Sequence, residues 1–207
     1  MADLVERTVA YIFQNRRGHD AGLFHKTSPF ANHPTPTIPL DCDIGPSGSP
    51  IPKEYSVFDK VVFPTLSWPA QSDVTEYLLV VEDPDAPLAE PVVHGLYYGI
   101  PPWKTRVVGE DFEVVEGAMK GGFRYGVNRK GTVYMPPRGL LGHGPHRYSF
   151  QVVALGGKVN GDGLGAKGLN KEEIVNMIEG RVLGWGKLGG DLGADGMKLF
   201  DAIYTIR

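Results

Sequence analysis

From Val61 to Leu155 the chain is a series of short apolar runs cut by turn signals, with no helix-length segment between them. The runs fall near residues 60–66, 76–82, 92–99, 112–115, 132–135 and 147–155, each bounded by Gly, Pro, Asn or Asp. Runs of this length and spacing suit the strands of a sandwich or barrel. A parallel sheet needs a crossover helix between successive strands, so an alternating α/β fold is excluded. With 28 glycines and 17 prolines, turns are plentiful. The fold class expected is all-β dominated, an antiparallel β-sandwich with a few peripheral helices. At 207 residues a β-rich chain commonly stays in one domain.

The flanks read differently. Leu4, Val5, Thr8, Val9, Tyr11 and Ile12 have helical spacing, which predicts a helix over 3–15. Seven prolines between residues 18 and 53 predict irregular chain, with at most one short strand around Thr37 to Cys42. Residues 1–36 are therefore expected as a helix and Pro-rich arm packed on the single domain 1–207. Near the C-terminus, Asn170 is an N-cap candidate for a second helix that stops at Gly180.

Charge narrows the partners. The net charge of −3 is spread over both signs, without the basic stripe that nucleic acid or an anionic membrane requires. No apolar run approaches the roughly 18 residues of a membrane span. Asp3 and Glu6 interrupt the first apolar stretch, which therefore reads as an amphipathic helix and not as a secretion signal. Cys42 is the only cysteine, so no intrachain disulfide can form. A cytoplasmic location is expected.

Three stretches carry candidate chemistry. In "HRYSFQVVAL", residues 146–155, alternation puts His146 and Tyr148 on one face with Phe150, Val152 and Ala154. Arg147, Ser149 and Gln151 take the other face. The same parity sets His94 beside Val92, Leu96 and Tyr98. Each histidine alone could be a satisfied core or edge residue. In "DPDAP", residues 83–87, Pro84 and Pro87 stiffen a turn. Its acids could bond local amides, or Asp83 could orient an imidazole and favour the protonated ring. "MPPRGLLGHGPH", residues 135–146, adds the rigid Pro136–Pro137 pair before the histidine strand.

Weaker signals fall away. Gly184-Trp-Gly-Lys-Leu-Gly189 matches a dinucleotide spacing but lacks its βαβ surroundings. His143, His146, His94 and Asp83 could be drawn as metal ligands, although nothing in their spacing requires a metal. His19, His25 and His33 read as solvated loop residues, and Trp68, Trp103 and Trp185 as packing anchors.

"DPDAP", the histidine 11 residues after its first Asp, "PPRG", "GPHRYSF", "YGIP" and "GRVLGWG" together resemble the phosphatidylethanolamine-binding protein family, in its bacterial and fungal branch. The likeness runs from about residue 37 to 187. It implies a Greek-key sandwich with a small anion pocket at one edge. Position by position, Asp83, His94, His146 and Tyr148 match the pocket residues, and Pro136 and Pro137 match its wall. Arg147 is expected as a structural partner of a carboxylate such as Asp85. The resemblance implies no cofactor and no obligatory metal. It implies a phosphate, phosphoester head group or carboxylate as ligand, with roles in signalling or protease or kinase regulation through protein partners. It also admits a fungal secondary-metabolism enzyme that uses the Asp/His pocket for acid–base chemistry, such as coupling maleic-anhydride polyketide monomers. In that case His94 or His146 is the general base. Two departures stand out: Val92 and Val93 replace the aromatics that often precede the pocket histidine, leaving room for a bulkier substrate, and segment 187–207 diverges.

Overall fold

The computed structural model describes residues 2–139, 142–159 and 168–188. The elements, in chain order, are helix α1 (Ala2–Phe13), strands β1 (Asp41–Cys42), β2 (Leu66–Ser67), β3 (Glu76–Asp83), β4 (Val92–Ile100), β5 (Arg106–Val107), β6 (Val114–Val115), β7 (Ala118–Met119), β8 (Arg124–Tyr125) and β9 (Ser149–Leu155), helix α2 (Lys171–Met177), and strand β10 (Val182–Leu188). The main sheet is antiparallel with order β10-β9-β3-β4-β8. Within it, β9 returns to lie beside β3 and not beside β8, which is the Greek-key order. A small sheet, β1-β2-β5, and a β6–β7 hairpin complete the strands.

Every residue of β3 and β9 is buried, because both faces of the main sheet are covered. One face carries Tyr77, Leu79, Val81, Phe150 and Val152, packed under Leu66, Trp68, Val107 and Phe112 of the small sheet and its loops. The other carries Leu78, Val80, Val153 and Leu155 beneath Phe24 and Phe30 of the arm and Ile174 and Ile178 of the α2 region. Asn170 caps α2 as expected: its side chain accepts from the Glu173 N–H while the Glu173 carboxylate accepts from the Asn170 N–H.

Some runs do not become strands. Val61 has φ of 58°, which no strand accommodates, so run 60–66 pairs only at its end. In run 132–135, Asn128 takes both the N–H and the C=O of Thr132, the groups a ladder would use. Strand β10 was hidden by its glycines. A Cβ at Gly186 would meet the Ile38 carbonyl oxygen at 2.0 Å, so glycine there lets the arm lie on the strand. Thr37 and Ile38 N–H groups both donate to the Trp185 carbonyl.

Two expectations are corrected, one in the arm and one in the loop between β4 and β5. His25 is not solvated: it is 5% exposed, stacked on Trp185 with centroids 4.4 Å apart, and bonded through Nδ1 to Gln151 Oε1 at 2.8 Å. Burial lowers its pKa to about 4. Trp103 is no anchor, being 80% exposed at the rim of a groove of about 560 Å³ with Arg106 and Gly121. That groove shares no residue with the cluster described next.

Strand β4 carries the feature that positions the site. Val81 pairs with Gly95 and Glu82 with Val93, so His94 has no opposite residue and sits in a β-bulge. Leu96, Tyr98 and Val93 all pack toward the arm and α2, whereas His94 turns to the Tyr148 side. Strict alternation, which put His94 with Leu96 and Tyr98, is broken here. Gly95 is needed because a Cβ would lie 2.6–2.9 Å from the phenol ring of fully buried Tyr97. Gly95→Ala is expected to cost about 1–3 kcal/mol, the range for an overpacked core. Denaturant unfolding of the variant measures it.

Candidate functional site

Asp83, His94, His146 and Tyr148 are brought together from three chain segments, and each is at most 7% exposed. Asp83 ends β3, His94 occupies the β4 bulge, and His146 and Tyr148 lead into β9. The two Asp83 oxygens have separate partners, one in the local turn and one in the cluster. Oδ1 accepts the backbone N–H groups of Asp85 at 2.7 Å and Ala86 at 3.1 Å, the geometry of an Asx turn. Oδ2 accepts from His146 Nδ1 at 2.7 Å and lies 4.0 Å from His94 Nε2, beyond hydrogen-bond range.

The two imidazoles are held in different ways. His94 Nδ1–H donates to the Met135 carbonyl at 2.6 Å, and the Met135 N–H donates back to the His94 carbonyl at 2.8 Å. That contact fixes the tautomer and leaves the Nε2 lone pair toward Asp83. Burial pushes the His94 pKa below its ordinary 6.5, against the pull of the Asp83 carboxylate, so the ring is neutral at pH 7. His146 has both nitrogens engaged: Nδ1 with Asp83, and Nε2 with His143 Nδ1 at 3.0 Å. Tyr148 stands edge-on to His94 with centroids 5.0 Å apart, and its hydroxyl accepts the Arg138 N–H at 3.0 Å.

Pro136 and Pro137 acquire a physical role here. Neither has an N–H, so the donors of this stretch are its two ends. Met135 bonds His94 and Arg138 bonds Tyr148, and the rigid pair sets the span between the two rings. The Pro137 carbonyl accepts the Val57 N–H.

Arg147 points away from the cluster, as parity requires. Its Nε and Nη2 grip the two Asp85 oxygens at 2.8 Å each, and Nη1 and Nη2 reach Asp20. Burial alone would raise the Asp85 carboxyl, but the Arg147 side-chain and backbone donors outweigh it and hold the pKa below the usual range. The second proline-flanked acid therefore locks the arm to the sheet, while the first faces the histidines.

Three participants were not singled out from the sequence. Met135 and Asn128, which donates to the His94 carbonyl, act through or upon main-chain atoms that residue type does not reveal. His143 was considered only as a metal ligand, and its spacing to His146 in "HGPH" was the available signal. Among the described residues no group of three or more His, Cys, Asp or Glu has metal-binding geometry. Val92 packs with Ala86 and Met135, and Val93 packs on the opposite face of the sheet. Val93 therefore adds no room beside His94. Segment 187–207 lies outside the described residues from 189 onward.

The phosphatidylethanolamine-binding protein family model matches residues 43–192, which spans all four residues of the cluster. The chain belongs to this family. Two fungal relatives are called "Phomoidride biosynthesis cluster protein B". That of Fungal sp. (strain ATCC 74256) is 44% identical over 190 residues, covering 88% of this chain and 91% of its own length. That of Talaromyces stipitatus is 40% identical over 190 residues, covering 88% and 78%. A UPF0098 protein of Aquifex aeolicus is 34% identical over 139 residues, covering 66% and 77%. Among solved structures, Escherichia coli YbcL superposes with a TM-score of 0.61 at 20% identity, covering 73% of this chain and 94% of its own. A homologue from Chlamydia trachomatis gives 0.60 at 24%, covering 74% and 95%. At these identities the superpositions establish the fold. No described helix is long and apolar enough to cross a membrane.

Proposed function

We propose that this member of the family acts in secondary metabolism as an acid–base site for a small organic acid or anhydride, with His94 as general base. The observation that carries the reading is the state of His94: Nδ1 is held by the Met135 carbonyl, burial keeps the ring neutral, and Nε2 offers a lone pair. A neutral imidazole in a water-poor site is suited to taking a proton from carbon next to a carbonyl. Of the two histidines weighed as base, His146 is the poorer candidate, because both its nitrogens are engaged. Tyr148, edge-on to His94, is the phenol we assign to the oxyanion that forms as the proton leaves. The names of the two fungal relatives support a biosynthetic setting. Coupling of maleic-anhydride polyketide monomers fits this chemistry. Incubating such monomers with the protein and following dimer by mass spectrometry tests it. Accumulation above the protein-free rate is expected, and equal rates would overturn the reading.

The second reading is an anion-binding module, for phosphate, a phosphoester head group or a carboxylate, with regulatory effect through a protein partner. Membership of the family favours it. It needs cationic donors, so its affinity falls as pH rises through the histidine range. Calorimetric titration with inorganic phosphate at about pH 5.5 and about pH 8 separates the two. The acid–base reading predicts negligible heat at both, whereas binding confined to the lower pH favours the module.

A further inference from the structure

A row of three contacts runs from the site to the end of α1. Asp83 Oδ2 meets His146 Nδ1 at 2.7 Å, His146 Nε2 meets His143 Nδ1 at 3.0 Å, and His143 Nε2 meets the Phe13 carbonyl oxygen at 3.0 Å. All three are hydrogen-bond lengths, and each needs one proton between its heavy atoms. The row ends in a carboxylate and a carbonyl, and a carbonyl can only accept. Two neutral imidazoles bring two N–H protons between them. The contacts as built require three.

We propose that Asp83, His146 and His143 share one proton beyond those of two neutral imidazoles, and that His143 is a positioning residue coupling that proton to the last turn of α1. Wherever the third proton is drawn, the row is neutral overall, one negative carboxylate balanced by one added proton. With it present every contact is satisfied. Without it, one of the three contacts must bring two lone pairs face to face, and the proposal places the break at Phe13. The site's acid and its N-terminal helix are then linked through one side chain.

The surroundings place the charge near Asp83. Arg17, in the segment after α1, donates to the Pro145 carbonyl and comes within 3.0 Å of a Cβ built on Gly144. Burial, and then the nearby His146 and Arg17 charges, keep the His143 pKa low. Arg16 lies over the Phe13 ring, Glu6 pairs with Arg138, and His94 flanks Asp83 from β4. Asp85 is neutralised by Arg147. Asp83 is thus the carboxylate in contact with the row, and His146 is the ring against it. His143 serves as acceptor on one side and donor on the other.

This goes beyond the acid–base reading and needs no substrate to test. Nitrogen NMR of ring-labelled histidine counts protons on the four nitrogens of His143 and His146, and the carbon shift of the Asp83 carboxyl shows whether it holds one. The carbonyl shift of Phe13 reports the tether. Three protons over the row are expected, with the Phe13 shift changing at the same midpoint as loss of the third. In His143→Gln the amide still accepts from His146 and donates to Phe13, so the Phe13 shift should become pH-independent. Two protons throughout, a Phe13 shift that ignores loss of the third, or one that still titrates in His143→Gln would each overturn the proposal. If the row holds while the monomers do not couple, the functional reading fails alone.

Discussion

Replacing His94 by alanine is expected to lower turnover by about 10²–10⁴-fold, the usual contribution of a positioned general base. The loss should fall mainly on kcat, because the ring acts on the proton in flight more than on the bound substrate. The fold should survive, since the Met135 N–H and Asn128 amide bonds go to the main-chain carbonyl of residue 94, which alanine retains. Steady-state kinetics with matching circular dichroism checks both halves. A variant that folds and turns over at the original rate removes His94 from the mechanism.

The largest stability effect is expected at Glu82, on the opposite face from the site. Its side chain is fully buried and has three partners: Oε2 accepts the Phe24 N–H at 2.7 Å and the Gln151 amide at 2.8 Å, and Oε1 pairs with Lys171 Nζ at 2.6 Å. One carboxylate thereby joins the arm, β9 and α2 to β3. Glu82→Ala leaves a buried main-chain donor and a buried amide unpaired and leaves the Lys171 ammonium only the Gly22 carbonyl. Leaving a buried donor unsatisfied costs about 1–3 kcal/mol, and the substitution leaves two. Chemical denaturation should show the midpoint falling by that equivalent. A change under about 1 kcal/mol would mean that the pair's desolvation cost cancels its attraction.

How much of this was legible in the residues follows from the kind of information each feature uses. The long strands β3, β4 and β9 were visible as short apolar runs bounded by turn signals, too short for the helices of a buried core. The Asp83, His94, His146 and Tyr148 grouping was visible through residue type, proline stiffening and family resemblance. Its geometry was less so. Alternation placed Tyr148, Phe150, Val152 and Ala154 on one face correctly, yet it misassigned His94, because a bulge leaves no mark beyond the glycine that permits it. The two-residue strands β2, β5, β7 and β8 lack a periodic signal of their own and are fixed by pairing partners distant in sequence. Strand β10 was not among the apolar runs, because Gly184 and Gly186 interrupt it, and their reason lies in the chain packed against them. His25 is polar and sits in a Pro-rich arm, and only Trp185 and Gln151, over a hundred residues away, explain its burial.

The pH dependence of kcat/KM tests most directly whether a neutral His94 drives the chemistry. Because burial lowers its pKa, the base form persists at and below 6.5, so the rate should hold through that value and fall only on further acidification. A rate that keeps climbing as pH drops through 6.5 would mean that the working form of the ring is the imidazolium, and the account would be wrong.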